Sequence, residues 1–197
     1  MSAAPVLEGS HVRLEPLSLS HLDDLCAVGL DPELWRWMPN QMRDRDEMRA
    51  FVASALNEEQ SGVSRPFATV LKATDRVVGS TRYLNMDSRN RRVEIGYTWI
   101  GKAWQRSVVN TEAKYLMLRH AFETLNCVRV ELKTDALNER SRVAILRLGA
   151  TQEGTLRHHM LTWSGRLRDT VYFSILAGEW PSVRARLQAK LHQPANV

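Results

Sequence analysis

A chain of 197 residues, 44% of them apolar, suits one domain with a sizeable core and is short for two. No apolar run approaches the ~20 residues of a membrane helix, and the start, Met1 to Pro5, lacks the basic flank and apolar core of a signal peptide, so a cytoplasmic protein is expected. Two cysteines, Cys26 and Cys127, and six scattered histidines form no metal or redox spacing, so no metal is expected, and the net charge of +5 favours an acidic partner such as nucleic acid or a polyanionic cofactor.

Alternation from His11 to Leu17 predicts a first strand. Ser20 is placed to cap a helix carrying Leu22, Leu25 and Val28, and Pro32 to Trp37 reads as a short second helix. From about Asp44 to Leu56, Met48, Phe51, Val52 and Ala55 recur at helical spacing; with Trp35 and Trp37 this region is core material that could double as a substrate lid. Gln60 to Ser64 reads as a polar loop. Phe67 to Leu71 and Val77 to Tyr83, joined by a turn at Ala73 to Asp75, predict a hairpin, and Arg92 to Ile100 predicts a third strand. The basic cluster at Arg89, Arg91 and Arg92 reads as a solvated loop, because no nucleic-acid-binding motif accompanies it; nucleic acid is therefore not expected as a partner.

The chain is organised around Gly101 to Lys114. A strand precedes this stretch, and a helix with Ala113, Leu116, Met117, His120, Ala121 and Leu125 on one face follows it. Such a junction gathers unpaired N–H groups and the positive end of the helix dipole, which suits an anion. Asn110 is the expected N-cap, with Glu112 in the first turn. Val128 to Thr134 alternates as a strand. Asn138 opens a helix through Ser141, Ala144, Ile145 and Leu148, with Gly149 as its C-cap. Glu153 to Leu156 and Thr170 to Leu176 predict a hairpin around Trp163 to Gly165, and Trp180 and Pro181 start a last helix through Val183, Leu187 and Leu191. The fold class is α/β of the α+β kind: one domain over residues 1–197, a mixed sheet with flanking helices, and one parallel pair demanded by the central helical crossover.

This order resembles the GNAT acyltransferase superfamily, and the residues look like its RimJ/RimL branch of protein N-terminal acetyltransferases. The matching segments are His11 to Leu17, Glu94 to Tyr97, Asn110 to Lys114, Asn138 to Ser141, Leu148 to Ala150, Glu153 to Arg157 and Arg168 to Ser174. The resemblance implies transfer of an acetyl group from acetyl-CoA, with CoA as product, to an amine through a tetrahedral intermediate. The acceptor would be a protein N-terminus or a small amine; no membrane is involved, and a homodimer is among the assemblies it allows. It also implies that the strands at 92–100 and 128–134 splay apart to take pantetheine, and that Gln105, Arg106, Ser107, Val108, Val109, Asn110, Thr111, Asn138 and Ser141 bind the cofactor.

On the strand at 92–100, alternation puts Glu94, Gly96 and Thr98 on one face and Val93, Ile95, Tyr97 and Trp99 on the other. Glu94 is the candidate base, with an ordinary strand residue as the even alternative, and Gly96 marks a candidate bulge. Many members of the superfamily carry a tyrosine acid at the position of Ile145. Ser141 is the next candidate acid, against a plain helix-opening role; Tyr97 and Tyr172 are expected to face the core. The superfamily's loop has small residues where Val108 and Asn110 stand here. A re-routed loop with ordinary negative φ at Val108 is therefore expected, and a weakly acyl-CoA-binding regulatory module is the rival reading.

Overall fold

Period-two alternation builds a sheet whose two faces bury different cores. The computed structural model describes residues 5–192. Its strands are β1 (Leu7–Glu8), β2 (Val12–Pro16), β3 (Ser64–Leu71), β4 (Arg76–Asp87), β5 (Arg92–Ile100), β6 (Arg129–Asp135), β7 (Thr151–Leu161) and β8 (Leu167–Leu176). They form one sheet in the order β1-β2-β3-β4-β5-β6-β8-β7, in which β5 and β6 are the parallel pair.

The helices are α1 (Leu22–Gly29), α2 (Arg45–Gln60), α3 (Val108–Arg119), α4 (Glu139–Leu148) and α5 (Trp180–Leu191). Against one face, α3 and α5 bury Leu116, Met117 and Trp180 with Val93, Ile95, Val130, Leu132 and Phe173 of the strands. Against the other, α1 and α2 bury Leu25, Met48 and Phe51 with Trp35, Val70 and Trp99. Each such side chain contributes about 1.5–3 kcal/mol of burial free energy.

Several boundaries differ from expectation for identifiable reasons. Asn110 is not the cap of α3. Ser107 is, its Oγ accepting the N–H of Val109 at 3.3 Å, and the helix starts at Val108. Ahead of α1, Ser18 rather than Ser20 opens a short 3-10 turn. α2 runs on to Gln60 and β3 begins at Ser64, which shortens the loop expected between them. The helical run after α3 continues as a π turn, His120–Thr124, beside the buried Tyr83 hydroxyl, which donates to the Met117 carbonyl at 2.6 Å.

The largest departure is in β5. Tyr97 has φ +46°, and the β4–β5 register jumps between the pairs Ser80–Trp99 and Arg82–Gly96. One extra residue reverses the alternation. Thr98 therefore faces α3, where it meets Thr81 and Lys114, while Tyr97 joins Glu94 and Gly96 on the α2 side. The expected grouping of Glu94, Gly96 and Thr98 does not hold, and Tyr97 leaves the face of Val93 and Ile95. Tyr172 also lies on the open face, half-buried, rather than in the α3 core.

Candidate active site

β5 and β6 pair at Arg92–Arg129, Val93–Val130 and Glu94–Glu131, and beyond these pairs the two strands run on unpaired to each other. Because they are parallel, their C-terminal ends lead to α3 and α4 at the same end of the sheet. Two helix N-termini thus flank a split that exposes strand backbone. Unpaired first-turn N–H groups suit phosphate, and free strand edges suit amides.

The connection from β5 to α3 is held by its own side chains. Gln105 Nε2 donates to the Ile100 carbonyl at 3.1 Å, and Ser107 Oγ donates to the Trp104 carbonyl at 2.6 Å. Arg106 is exposed with φ +61°, so the left-handed residue of this loop is an arginine. Val108 lies in the first turn of α3, half-buried, as are Asn110 and Thr111. Val109 is 2% exposed and points into the core, which leaves no side-chain surface for a ligand.

On the other side of the split, Asn138 Oδ1 accepts the N–H of Ser141 at 3.1 Å, so Asn138 caps α4. Ser141 is half-buried in the first turn, and Ile145, further along α4, is buried against the core.

Glu94 sits at the last registered pair and is 1% exposed. Its Oε2 accepts from Lys133 Nζ and from Asn85 Nδ2, each at 3.0 Å, while Oε1 has no partner. A Cβ on Gly96 would stand 3.0 Å from that Oε1 and 2.8 Å from Leu84 Cδ1. Gly96 thus leaves the room that the carboxylate occupies. Lys133 also lies 5.7 Å from the ring centroid of Tyr172, against which His159 packs edge-on. Burial, with Lys133 and Arg168, lowers the His159 pKa; Glu94 pulls it the other way. These four side chains cross β5, β6, β8 and β7 on the face opposite α3.

The segment that carries Trp35 and Trp37 and the hairpin turn at Trp163 come together over this face. Trp163 Nε1 donates to the Trp35 carbonyl at 3.3 Å, and the buried Arg168 donates to the Trp37 carbonyl at 3.4 Å. Asp135, at the end of β6, is ion-paired with Arg166 and lies 3.9 Å from Arg168 Nε. Burial lowers the Arg168 pKa, with Asp135 opposing. Beneath the two segments lies a cleft of about 620 Å³ whose wall includes Met42, Phe51, Arg82, Tyr97 and Trp163. Lys133, Arg82 and the Asp135 cluster escaped the sequence reading. The alternation of β6 hints at Lys133, but only the β5–β6 register joins it to Glu94.

Among the described residues no group of three or more His, Cys, Asp and Glu side chains is placed to hold a metal ion. None of the described helices is long and apolar enough to cross a membrane.

A mixed sheet in which the one parallel pair among the described residues splits between two helix N-termini is the architecture of a GNAT acyltransferase. Residues 11–151 match the acetyltransferase (GNAT) domain, and the chain belongs to that family. It is 29% identical to the uncharacterized N-acetyltransferase p20 of Bacillus licheniformis over 85% of this chain and 93% of the relative. Over 96 residues, 49% of this chain and 51% of the relative, it is 38% identical to YdaF of Bacillus subtilis, whose name provisionally makes it a ribosomal N-acetyltransferase. A GCN5-related N-acetyltransferase from Brucella melitensis superposes with a TM-score of 0.89 at 34% identity, covering 98% of this chain and 87% of that one. RimJ of Mycobacterium smegmatis, solved with CoA-disulfide, shares the fold with a TM-score of 0.79 at 24% identity over 94% of this chain and 91% of that one. These similarities agree with a RimJ/RimL-like member of the family, and the protein is an acyltransferase of the N-acetyltransferase class.

Proposed function

We propose that this protein transfers an acetyl group from acetyl-CoA directly to a primary amine, in the first place the α-amine of a protein N-terminus. The observation that carries this reading is the parting of β5 from β6 beyond Glu94 and Glu131, with the N-termini of α3 and α4 at its mouth. Acetyl-CoA, when bound, supplies the acetyl group as a thioester. The N–H groups that open α3, with the exposed Arg106, hold phosphate there. Gln105 and Ser107 keep that loop in shape through Ile100 and Trp104, and Val108, Asn110 and Thr111 line the start of the helix. Val109 serves the core instead.

At the split, Glu94 Oε1 takes a proton from the acceptor amine, directly or through water, while Lys133 and Asn85 keep Oε2 engaged. An α-amine has an ordinary pKa of ~7.7–8.0, so a weak base suffices near neutrality. Backbone N–H groups of the bulge at Gly96 and Tyr97 steady the carbonyl oxygen in this reading. Ser141 donates toward the leaving sulfur, and the side-chain amide of Asn138 lies at the same mouth. Val108, lying within the helix, gives the regulatory-module reading no support.

Native mass spectrometry of the full chain with CoA, followed by turnover on peptides with different first residues and on small amines, tests the proposal. Bound CoA and acetylated peptide are expected. CoA bound without acetyl transfer to any amine would leave only the regulatory reading.

A further inference from the structure

Arg82 is a cation where a core residue is expected. It is 2% exposed, and its guanidinium lies between the rings of Phe51 and Tyr97, 4.8 and 4.4 Å from their centroids. Nη1 reaches Glu58 Oε2 at 3.2 Å, while Nε has no partner. Burial holds its pKa below the ordinary arginine value, with Glu58 and Tyr97 opposing. Burying a guanidinium costs several kcal/mol unless its donors are met. Here one ion pair, to a partly exposed glutamate, and two ring faces meet only part of that need.

Its position links it to the acceptor side of the split. Arg82 is registered with Gly96, and Leu84 with Glu94, so Arg82 and Glu94 are diagonal neighbours on one face of β4 and β5. Such neighbours have Cα atoms ~7–8 Å apart. Arg82 also forms part of the cleft wall, beside Tyr97 of the bulge. Arg82 is therefore a cation beside Glu94 on the neighbouring strand, on the same face, with its side chain in the cleft wall. A planar fork of N–H donors suits an sp² oxygen, and best a charged one.

We infer that Arg82 is a specificity residue of the acceptor site, its guanidinium receiving a carbonyl or carboxylate oxygen that stands beside the amine to be acetylated. The inference rests on the amine-acetylating reading above and narrows it: an α-aminoacyl group is selected over a bare alkylamine.

The test uses the full-length protein, acetyl-CoA and three acceptors that share one phenethyl group: a Phe-Gly-Gly peptide, free phenylalanine and phenethylamine. Rates are compared per neutral amine, because the three amines titrate differently. Expected is a kcat/KM for the peptide or the amino acid about 10- to 100-fold above phenethylamine, as for a hydrogen bond to a charged group. Preference for the peptide identifies the amide carbonyl, and preference for phenylalanine the carboxylate. Arg82→Lys keeps a charge but loses the fork; it should abolish the preference, with KM for the peptide or the amino acid rising far more than KM for phenethylamine. Equal kcat/KM for all three acceptors in the wild type overturns the inference while leaving an amine acetyltransferase. An undiminished preference in a folded Arg82→Lys protein overturns it as well. Bound CoA with no transfer to any of the three sinks the amine-acetylating reading and the inference with it. Should Arg82→Lys fail to fold, the wild-type comparison decides alone.

Discussion

Glu94 and Lys133 meet across the point where β5 and β6 part, ammonium to carboxylate at 3.0 Å, and only one oxygen of the carboxylate is engaged. The pair orients Glu94 and leaves Oε1 without a partner, as the proposed base requires. Glu94→Gln should therefore lower kcat by about 10- to 100-fold, less than a general base can contribute because water chains substitute in part, with little change in KM for acetyl-CoA. Lys133→Met should lower kcat less, and the double substitution should cost less than the sum, since both changes act on one carboxylate. Steady-state kinetics on the four proteins decide the matter. Full turnover by Glu94→Gln would remove Glu94 from the chemistry.

Arg106 carries the strain of the loop from β5 to α3, and Val108 does not. A non-glycine residue in the left-handed region costs roughly 1–2 kcal/mol, so Arg106→Gly should raise the melting temperature. It should also weaken CoA binding, more so at low salt, because a charged contact is lost. Arg106→Ala should weaken binding without the stability gain. Val108→Gly, made in the first turn of α3, should cost roughly 0.4–1 kcal/mol and bring no tighter binding. Thermal melts and CoA titrations at two salt concentrations check all three. A Val108→Gly protein that binds CoA several-fold tighter would reverse this account of the loop.

Glu112 reaches out of α3 to accept the backbone N–H groups of Ser10, His11 and Val12 at 2.7–2.8 Å. It fills the space beside Gly9, where a Cβ would stand 2.6 Å from its Cδ. Glu112→Ala strands three donors in the β1–β2 turn, at about 1–3 kcal/mol for each that water does not reach. The expected loss is several kcal/mol of unfolding free energy, read by denaturant melts. Gly9→Ala should destabilise through the clash. A Glu112→Ala protein of wild-type stability would mean that water replaces the carboxylate.

What the sequence disclosed follows local rules, and what it hid depends on pairing. Alternation in Val128 to Thr134, helical spacing from Ala113 to Met117 and the left-handed Gly149 each act within a few residues, and all three appear in the structure. The crossover through α3 demanded one parallel pair, which is β5 with β6. The start of α3 was expected at Asn110 and lies three residues earlier, at Ser107, which is also of a type that caps helices. Ser107 wins through a left-handed Arg106, a residue type that gives no sign of that conformation. Gly96 hinted at a bulge, but the bulge falls on Tyr97 and reverses the face of Thr98, which alternation cannot show. Glu112 reads as a helix-opening acid, yet its partners lie at the other end of the chain. Lys133, Arg82 and Lys114 were invisible for the same reason: register, not composition, sets what each of them faces.

Lys114 offers the sharpest pH-dependent test. It is buried on α3 with its Nζ donating to Thr98 and, at 3.4 Å, to Thr81, and neither hydroxyl carries a charge to match the ammonium. Burial lowers its pKa from 10.5 to about 7. In the unfolded chain the amine titrates near 10.4. Between these values the unfolded state binds more protons than the folded one, so this group makes stability rise with pH through that window. Below about pH 7 both states are protonated, and the folded protein bears the full cost of a buried charge. Lys114→Met keeps the length and removes the charge. It should be more stable than the wild type by about 2–5 kcal/mol at pH 6. The advantage should shrink steadily from about pH 7 toward pH 10, as the folded lysine is neutral while the unfolded one is still protonated; well above about pH 10.4 both are neutral, and the lost hydrogen bonds favour the wild type by roughly 0.5–1.5 kcal/mol. Denaturant unfolding of both proteins from pH 6 to 10 measures the difference and cancels the other titrating groups. A difference that stays flat across that range would mean that the Lys114 ammonium keeps its charge in the fold and is matched there by bound water or an anion.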